Sequence, residues 1–372
     1  DEDRVYGDDG RDRLFGDGQD DHVYGGPGAD RLDGGAGSDT LVSIDDAASD
    51  TLAGGTGKDS FWADDQGLFE DGLLAPTADE LETNVHYVSG FDNGADKTLD
   101  GDSIADPTGG KGSADFSDRP LFSKFGPQVF DVDQGDLGDC WLLGSLAAAA
   151  RVEPNAIRQL VVDLGDGTYA VHLEKSVLNT DVYYRVDGDL PVDPAAPATP
   201  QFAGLGVGRS LWVPIVEKAY ALDRGGRYAD LNGDTVGEVL GEIGGTGRVY
   251  HMSVEDAFED FDPPTALTGV FQTQSDVADV DRTLPNHAYA IYSVQKDGNG
   301  NAVSVQLYNP HGVDNVPLYN LDGTPMLDAK GDQMYGCTDG KDDGLITLTL
   351  QEARDDSFNP IGAVTAHFDR FS

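Results

Sequence analysis

The chain of 372 residues carries 68 acidic and 24 basic residues, a net charge of −44, and it contains 49 glycines and 38% hydrophobic residues. This charge argues against nucleic acid and anionic membrane surfaces as partners, because both are bound through lysine and arginine. The length allows two or three domains, and no apolar run approaches the ~20 residues that cross a membrane.

A nine-residue repeat is the first predicted element. Four consecutive units begin at residue 7 (GDDGRDRLF, GDGQDDHVY, GGPGADRLD and GGAGSDTLV), and a fifth, GGTGKDSFW, occupies residues 54–62. The eighth residue of every unit is apolar, and the sixth is an aspartate: Asp12, Asp21, Asp30, Asp39 and Asp59. The alternative is a disordered linker rich in glycine and aspartate, but two fixed positions at a fixed period argue against it. Glycines permit tight turns and aspartates offer hard oxygen ligands, so the repeat predicts calcium binding.

These units resemble the repeat-in-toxin nonapeptide, G-G-x-G-x-D-x-U-x, which builds a calcium-loaded parallel β-roll. The resemblance implies that each unit forms half a coil. Several ions would then lie between units two apart, as between Asp12 and Asp30 and between Asp21 and Asp39. It also implies secretion, since such repeats accompany bacterial export and folding in calcium-rich medium. Residues 1–6 match the second half of a unit and the chain begins without Met, so further repeats are expected upstream.

Two irregularities interrupt the repeat. Gln19 replaces a glycine, and an insertion at SIDDAASD places Asp50 two residues out of phase with Asp39, which is expected to break the regular ladder of ions. We assign residues 1–63 to the all-β roll. Residues 64–118, where aromatic and apolar alternation gives way to turn residues, are predicted to form a strand-rich cap and a linker.

The segment CWLLGSLAAAARV, which follows a loop rich in glycine and aspartate, predicts a helix that begins near Cys140. A thiol at a helix N-terminus faces unpaired N–H groups and the positive end of the helix dipole, which lower its pKa and favour the thiolate. The alternative is a buried structural thiol, since free cysteine is among the most buried residues. The second cysteine, Cys337 in YGCTDG, is interpreted as a loop thiol, because two cysteines do not make a disulfide framework.

A cysteine nucleophile needs a base, and the base needs an orienting group. Of the seven histidines, His287 begins a predicted strand, NHAYAIYSVQ, and a second predicted strand, SVQLYNPHG, carries Asn309 near its end. Neighbouring strands of this kind would place the asparagine where it orients the imidazole. Spacing alone leaves an ordinary structural role for each histidine as the alternative.

Four motifs occur in order across residues 119–372: QGDLGDCWLLGSL, LWVPIVEKAYA, NHAYAIYSV and VQLYNPHG. Together they resemble the signatures of the calpain protease core, Q-G-x-L-G-D-C-W, W-x-x-x-x-E-K-A-Y-A, G-H-A-Y and N-P-W-G. The resemblance implies a papain-like α+β core of two subdomains with a cleft between them. The first, 119–240, would be led by the helix and carry the cysteine. The second, 241–372, would be strand-rich and carry the histidine and the asparagine.

The same resemblance assigns the site residues. Cys140 would be the nucleophile, His287 the base and later the acid, and Asn309 the residue that orients the imidazole. Gln134 would donate its side-chain N–H to the oxyanion hole, together with the backbone N–H of Cys140.

The chain departs from the family pattern at two positions. His311 stands where calpains have a tryptophan that shields the His–Asn hydrogen bond from water, so this shielding is expected to be weaker or to come from elsewhere. Asn286 replaces the glycine before the catalytic histidine and would place a bulkier side chain in the cleft.

Calpain cores also bind calcium. The pattern of the first site matches at Gly126, through its backbone carbonyl, and at Asp131 and Glu217, which implies one ion in the protease core. A second site would involve the aspartates at 342–343, but Leu345 stands where an acid is expected, so the site is predicted to be altered or missing. The alternative for all these acids is an ordinary solvated surface.

These inferences predict a secreted, extracellular bacterial enzyme. It would be a calcium-dependent cysteine endopeptidase that cleaves protein or peptide substrates through a thioester acyl-enzyme. The alternative from another class is a calcium-dependent adhesion or surface protein whose protease-like domain is inactive, which the histidine at position 311 favours. A thiol acyltransferase or transglutaminase uses the same three groups and is the third possibility.

Overall fold

The structure is a computed structural model of the chain. It describes residues 2–45, 50–64, 85–101, 104–175, 180–234, 236–244, 248–251, 268–272, 283–284, 287–314, 316–317, 327–328, 330, 334–336, 341–355 and 359–364, to which every structural statement refers. These residues belong to two compact units. Residues 1–106, 159–173 and 181–188 make up the first unit, and residues 107–158, 174–180 and 189–372 make up the second. No helix within the described ranges is both long and apolar enough to cross a membrane.

Short strands dominate the chain, and most of the helical residues come from the middle third. The strands are β1 (Arg4–Tyr6), β2 (Arg13–Phe15), β3 (His22–Tyr24), β4 (Arg31–Ala36), β5 (Thr40–Ser43), β6 (Thr51–Thr56), β7 (Ser60–Ala63), β8 (Val85–Tyr87), β9 (Gly112–Asp115), β10 (Val161–Asp163), β11 (Thr168–Lys175), β12 (Thr180–Asp187), β13 (Asp189–Val192), β14 (Arg248–His251), β15 (Thr268–Gln272), β16 (Ala288–Lys296), β17 (Ala302–Tyr308), β18 (Val316–Pro317), β19 (Tyr335–Gly336), β20 (Leu345–Thr349) and β21 (Asn359–Val364). The helices are α1 (Cys140–Val152), α2 (Pro154–Leu160), α3 (Trp212–Asp223), α4 (Val236–Gly244) and α5 (Leu350–Asp355), with 3₁₀ turns at Val129–Asp131 and Tyr228–Leu231.

The nonapeptide repeat folds as a parallel β-roll. Strands β1, β3, β5, β7 and β8 form one sheet, and β2, β4 and β6 form the other. Strands two units apart pair in register, so that Leu14 lies beside Leu32 and Val23 beside Leu41. The apolar eighth residues point inward and pack into one buried cluster, because alternate residues of a strand face opposite sides. The structure therefore confirms that each unit is half a coil.

The insertion enlarges one coil without ending the roll. In the first coils an aspartate side chain accepts the backbone N–H of the aspartate 18 residues before it, as Asp30 does from Asp12. After the insertion the spacing becomes 20 residues, and Asp50 accepts the N–H of Asp30 at 2.7 Å. The second oxygen of Asp50 accepts the Ser43 hydroxyl. The series of hydrogen bonds from backbone N–H groups to aspartate side chains thus continues through the insertion, whereas the environment of the Asp50 carboxylate changes. Gln19 adopts the left-handed backbone (φ 86°) that suits the glycine it replaces.

The predicted cap contributes one described strand to the roll. Strand β8 pairs in parallel with β7 and extends its sheet, while β9, near the end of the predicted linker, pairs with β13 in the second unit. Residues 65–84, which the cap prediction also covers, lie outside the described residues.

The first unit holds a second layer that the sequence did not indicate. Strands β10, β11 and β12 form a three-stranded antiparallel sheet, and this sheet shares one hydrophobic core with the roll. The roll and the β8 region contribute six residues to that core: Tyr24, Val42, Ile44, Trp62, Val88 and Phe91. The β10–β12 region contributes four: Val162, Leu164, Ala170 and Tyr183. The chain segment that follows α1 and α2 is therefore packed together with the calcium repeat.

The second unit combines buried helices with a six-stranded sheet in the order β14-β21-β15-β16-β17-β20, in which the described pairs are antiparallel. Helix α1 packs against β15 and β16, and Arg151 near its end donates to the Tyr292 carbonyl at 3.1 Å. Helix α1 is buried almost throughout, as its run of leucine and alanine predicts. Together these elements confirm the helix-and-strand core of papain type expected from the motifs.

Candidate active site

Cys140 is the first residue of helix α1, as the sequence predicts. The loop before it is fixed by close backbone contacts, and a Cβ at Gly135 would lie 2.1 Å from the Phe202 carbonyl oxygen. The next glycine of the motif, Gly138, donates its N–H to the Asn232 side chain at 2.8 Å. Trp141 anchors the first helical turn through a bond from its indole N–H to the Leu231 carbonyl. These contacts explain why the loop needs glycine before the cysteine.

His287 and Asn309 lie at adjacent strand ends. His287 directly precedes β16, Asn309 directly follows β17, and the two strands are antiparallel neighbours. The Nε2 atom of His287 is 2.9 Å from Oδ1 of Asn309, and Asn309, which is fully buried, donates its amide to the Val313 carbonyl at 2.9 Å. Because Nε2 is bound to Asn309, Nδ1 is the ring nitrogen that can exchange a proton with a thiol.

The thiol and the imidazole come from distant parts of the chain but meet in the second unit. The Cys140 sulfur accepts a hydrogen bond from the backbone N–H of Ala288, the residue after His287. One turn along the helix, Gly144 also faces this strand, since a Cβ placed there would lie 3.5 Å from the Ala288 side chain. The structure thus brings the predicted nucleophile, base and orienting residue into one cluster.

The protonation of this cluster differs from the sequence expectation. Burial raises the pKa of the Cys140 thiol, and the nearby Asp139 carboxylate raises it further, so the backbone N–H groups at the helix start do not outweigh them. Burial also lowers the pKa of His287 to about 4, with a further lowering from His311 and an opposing contribution from the hydrogen bond to Asn309. The expected lowering of the thiol pKa is therefore wrong for this arrangement, which favours a neutral thiol and a neutral imidazole.

Gln134 links the cysteine loop to the segment after Asn309. Its backbone N–H donates to the Pro310 carbonyl at 2.7 Å, and its side-chain Nε2 donates to the Leu137 carbonyl at 2.7 Å. The side chain is buried within the loop that leads to Cys140. The same side chain also hydrogen-bonds the buried Asp139 carboxyl, and its donation to a substrate oxygen stays a prediction.

A buried pair of carboxyl groups adjoins the cysteine. Asp139, the residue before the cysteine, and Glu217 of α3 are 0% and 2% exposed, and their side chains are within hydrogen-bonding reach of each other. Burial raises the pKa of both groups, because two adjacent carboxylates cannot both stay ionised away from water. The Glu217 carboxylate also accepts the Ala203 N–H at 3.1 Å. Both residues belong to quoted motifs, but their spacing of 78 residues gives no signal that they touch.

The three residues predicted for the core calcium site have separate partners. Asp131 accepts the Trp212 indole N–H and the Gln128 N–H at 2.9 Å each. Glu217 bonds to Ala203 as described. At Gly126 the backbone is left-handed (φ 72°), and a Cβ would lie 2.3 Å from an Arg158 guanidinium nitrogen. No contact in the described residues joins these three groups, so the core ion stays a prediction.

The aspartates of the predicted second calcium site fix a local turn. Asp342 accepts the N–H of Asp314 at 2.9 Å, and Asp343 accepts that of Leu345 at 3.3 Å. These bonds give both acids a structural role, and the alteration or loss of the second site stays a prediction. Asn286, the other departure from the family motif, lies outside the described residues.

The aspartates of the roll fit a bound cation. In Asp21, Asp30, Asp39 and Asp59 one carboxylate oxygen accepts a backbone N–H from the neighbouring coil, as Asp39 does from Asp21 at 2.9 Å. The second oxygen, Oδ2, is buried and lacks a hydrogen-bond donor in four of the repeat aspartates: Asp12, Asp21, Asp30 and Asp39. Burial raises the pKa of Asp39 to about 6, with further raising by neighbouring aspartates. Buried carboxylate oxygens without donors are the ligands that Ca²⁺ prefers, so these four aspartates, with Asp59, would hold the ions.

Replacing Asp39 with asparagine is expected to lower the calcium affinity of the roll at least about tenfold. The amide oxygen can still accept the Asp21 N–H, but the negative ligand oxygen is lost. Calorimetric titration with Ca²⁺ measures the effect. The matched control is Asp20→Asn, which removes the same charge from an exposed aspartate that accepts the Ser38 N–H. Equal affinity losses in both variants would show that Asp39 acts only through overall charge.

Comparison with known proteins gives two family matches. A model described as calpain family cysteine protease matches residues 111–316, more than half of the chain. A model of the RTX calcium-binding nonapeptide repeat matches residues 6–41 and 45–66.

Similar curated proteins are calpain-type proteases of plants and mammals. Calpain-type cysteine protease DEK1 of Zea mays is 30% identical over 199 residues, which are 48% of this chain and 9% of that protein. Calpain-type cysteine protease ADL1 of Oryza sativa is 30% identical over 213 residues, 52% of this chain and 9% of that protein. Calpain-9 of Mus musculus is 28% identical over 149 residues, 39% of this chain and 21% of that protein. The chain thus covers between 9% and 21% of the length of these relatives.

Proposed function

Because the chain belongs to the calpain family of cysteine proteases, we propose that it is a calcium-dependent endopeptidase that hydrolyses peptide bonds in proteins. The observation that supports this proposal is the cluster at the start of α1. There the Cys140 sulfur meets the backbone beside His287, and Asn309 holds the far side of the imidazole. Such an arrangement of thiol, base and orienting amide is what nucleophilic catalysis requires.

The reaction would proceed in two stages. The Cys140 thiol gives its proton to Nδ1 of His287, and the sulfur attacks the carbonyl carbon of the scissile bond. His287 then passes the proton to the leaving amine as the C–N bond breaks, which leaves a thioester. In the second stage His287 takes a proton from water, the hydroxide attacks the thioester carbon, and the proton returns to the thiolate as the acid leaves. Asn309 keeps the ring in the tautomer that these transfers need.

Negative charge develops on the carbonyl oxygen during both attacks. We assign its stabilisation to the side-chain N–H of Gln134 and the backbone N–H of Cys140, because donors already fixed in place cost no reorganisation during the reaction. The bonds of Gln134 to Leu137 and Pro310 hold the amide rigidly in this loop.

Replacing Gln134 with alanine is expected to lower kcat about 10²- to 10³-fold and to leave KM nearly unchanged, because the oxyanion is absent from the bound substrate and forms only during the reaction. Steady-state kinetics on a peptide substrate measure this change. Gln128→Ala is the control, since the Gln128 side chain also donates to a backbone carbonyl, that of Phe125, but lies outside the cluster. A similar fall in kcat for the two variants would contradict the assignment.

The RTX repeats indicate calcium binding, and we propose that calcium supports folding of the acidic roll. Ions bound there would neutralise aspartates that otherwise repel one another. Several ions in the roll and one in the protease core remain part of the proposal, as does secretion from a bacterial cell, of which RTX repeats are typical.

A calcium-dependent adhesion or surface protein with an inactive protease-like domain is the second candidate. It is favoured by His311 in place of the tryptophan of calpains and by the neutral thiol–imidazole pair. Incubation with casein, in excess calcium or in chelator, separates the two functions. We expect cleavage in calcium alone, together with labelling of Cys140 by a thiol-directed epoxide, located by mass spectrometry. Intact casein and an unlabelled Cys140 in calcium would favour the adhesion protein.

A further inference from the structure

The ring of His311 lies flat against the catalytic imidazole. The centroids of His287 and His311 are 4.9 Å apart, and the two ring planes are parallel, with an angle of 0° between them. The backbone N–H of His311 donates to Oδ1 of Asn309 at 3.2 Å, the same oxygen that holds His287. His311 thus covers the His–Asn pair from the position that tryptophan occupies in calpains.

His311 also reaches the other side of the site. Its ring N–H donates to the backbone carbonyl of Gln134, while the Gln134 N–H donates to Pro310. Asp133, next to Gln134, is the acidic group that faces the His311 ring. One imidazole therefore contacts the base, the residue that orients the base and the loop of the oxyanion donor.

We propose that His311 is a positioning residue whose neutral form keeps His287 and Gln134 in place, and that its protonation turns the protease off in acid. This inference rests on the proposed function, because it concerns the pH range in which the same site works. A tryptophan at this position could cover the pair but could not respond to pH.

The chemistry follows from the short distance between the rings. During acyl transfer His287 must carry a positive charge. A second positive charge on the stacked His311 ring would repel it, and water screens this repulsion only weakly because the rings are partly buried. In the described part of the chain, the groups that face His311 are His287, the Gln134 carbonyl and Asp133. Burial lowers the pKa of His311 below its usual 6.5, against the opposing effects of the Gln134 carbonyl and Asp133. His311 is consequently neutral at pH 7.5 and gains its charge as the solution becomes acidic.

Replacing His311 with tryptophan tests this role, because the ring cover is kept and the titratable charge is removed. In saturating calcium, we expect the acid limb of kcat/KM on a peptide substrate to move to lower pH by about one unit. His311→Ala should show the same shift but a lower kcat/KM at pH 7.5, since the ring stacked on the imidazole is then lost. The control is His172→Gln, which removes a histidine that bonds Asp181 in the first unit and should leave the acid limb in place.

A second readout does not depend on cleavage. In protein with ¹³C-labelled histidine rings, NMR titration should show a higher pKa for His287 in His311→Trp than in the unmodified chain, by about one unit. Thermal unfolding of each variant checks that it is folded. An active enzyme whose acid limb and His287 titration are unchanged in His311→Trp would overturn the inference. A chain that cleaves nothing in calcium would instead contradict the proposed function, while the NMR titration would still decide the role of His311.

Discussion

Replacing Cys140 with alanine is expected to lower kcat/KM for a protein substrate at least ~10⁴-fold in saturating calcium. The thiol is the atom that bonds to the substrate, and neither His287 nor Gln134 can supply another nucleophile. The alanine fills the same backbone position at the start of α1 and removes one sulfur from a well-packed site. Circular dichroism and the thermal unfolding temperature should stay close to those of the unmodified chain, so the loss would report chemistry rather than folding.

The matched control for this variant is Cys337→Ser, because it alters the only other cysteine of the chain. We expect its kcat/KM to stay within about threefold of the unmodified value, because the sequence assigns this cysteine to a loop outside the four motifs. A Cys140→Ala protein that still cleaves casein would contradict the assignment of the nucleophile. Incorporation of an added amine into casein, dependent on Cys140 and without hydrolysis, would identify an acyltransferase instead.

Replacing Trp62 with alanine is expected to lower the free energy of unfolding of the first unit by ~3–5 kcal/mol. Trp62 is 0% exposed in the core shared by the roll and the β10–β12 sheet. Its ring stacks on His86 at 3.9 Å and meets the edge of Tyr183 in β12 at 6.2 Å. Its indole N–H donates to the Ser60 hydroxyl at 3.0 Å. The substitution therefore removes contacts on both sides of this core and leaves a cavity.

Urea unfolding in saturating calcium measures the loss, and hydrogen exchange shows where it falls. We expect faster exchange in the roll strand β7 and in β11 and β12, since one core stabilises both layers. Phe15→Ala is the control, because Phe15 is 52% exposed on the same roll and should change the free energy of unfolding by less than ~0.5 kcal/mol. Unchanged exchange in β11 and β12 would show that the roll is stable independently of that sheet.

The sequence predicts those parts of the fold whose signal is local. The nine-residue period predicts the roll, because it fixes which residues, such as Leu32, point into the core and where the turns between strands fall. The strands lie where the repeat predicts them. The start of α1 at Cys140 follows in the same way from a glycine-rich loop before a run of helix formers. The four quoted motifs indicate the family, which the match of residues 111–316 to the calpain family model shows.

Contacts between distant segments could not be predicted from these patterns. The core that joins Trp62 to Tyr183 connects residues 121 positions apart, and nothing in either segment encodes its partner. The same is true of Asp139 and Glu217, whose pairing gives the glutamate a partner other than the expected ion. The direction of the Cys140 pKa shift also depends on packing. The helix start favours the thiolate, but burial of the thiol outweighs this effect, and the sequence does not give the depth of burial.

The most direct test of the account is a crystal structure of the calcium-loaded chain in covalent complex with a peptide inhibitor that reacts with thiols. We expect the inhibitor on the Cys140 sulfur, Nδ1 of His287 within hydrogen-bond reach of it, at about 3 to 4 Å, and the inhibitor carbonyl oxygen facing the Gln134 side chain. An inhibitor bound elsewhere, or an imidazole turned away from the sulfur with Asn309 unbonded, would contradict the catalytic role of this cluster.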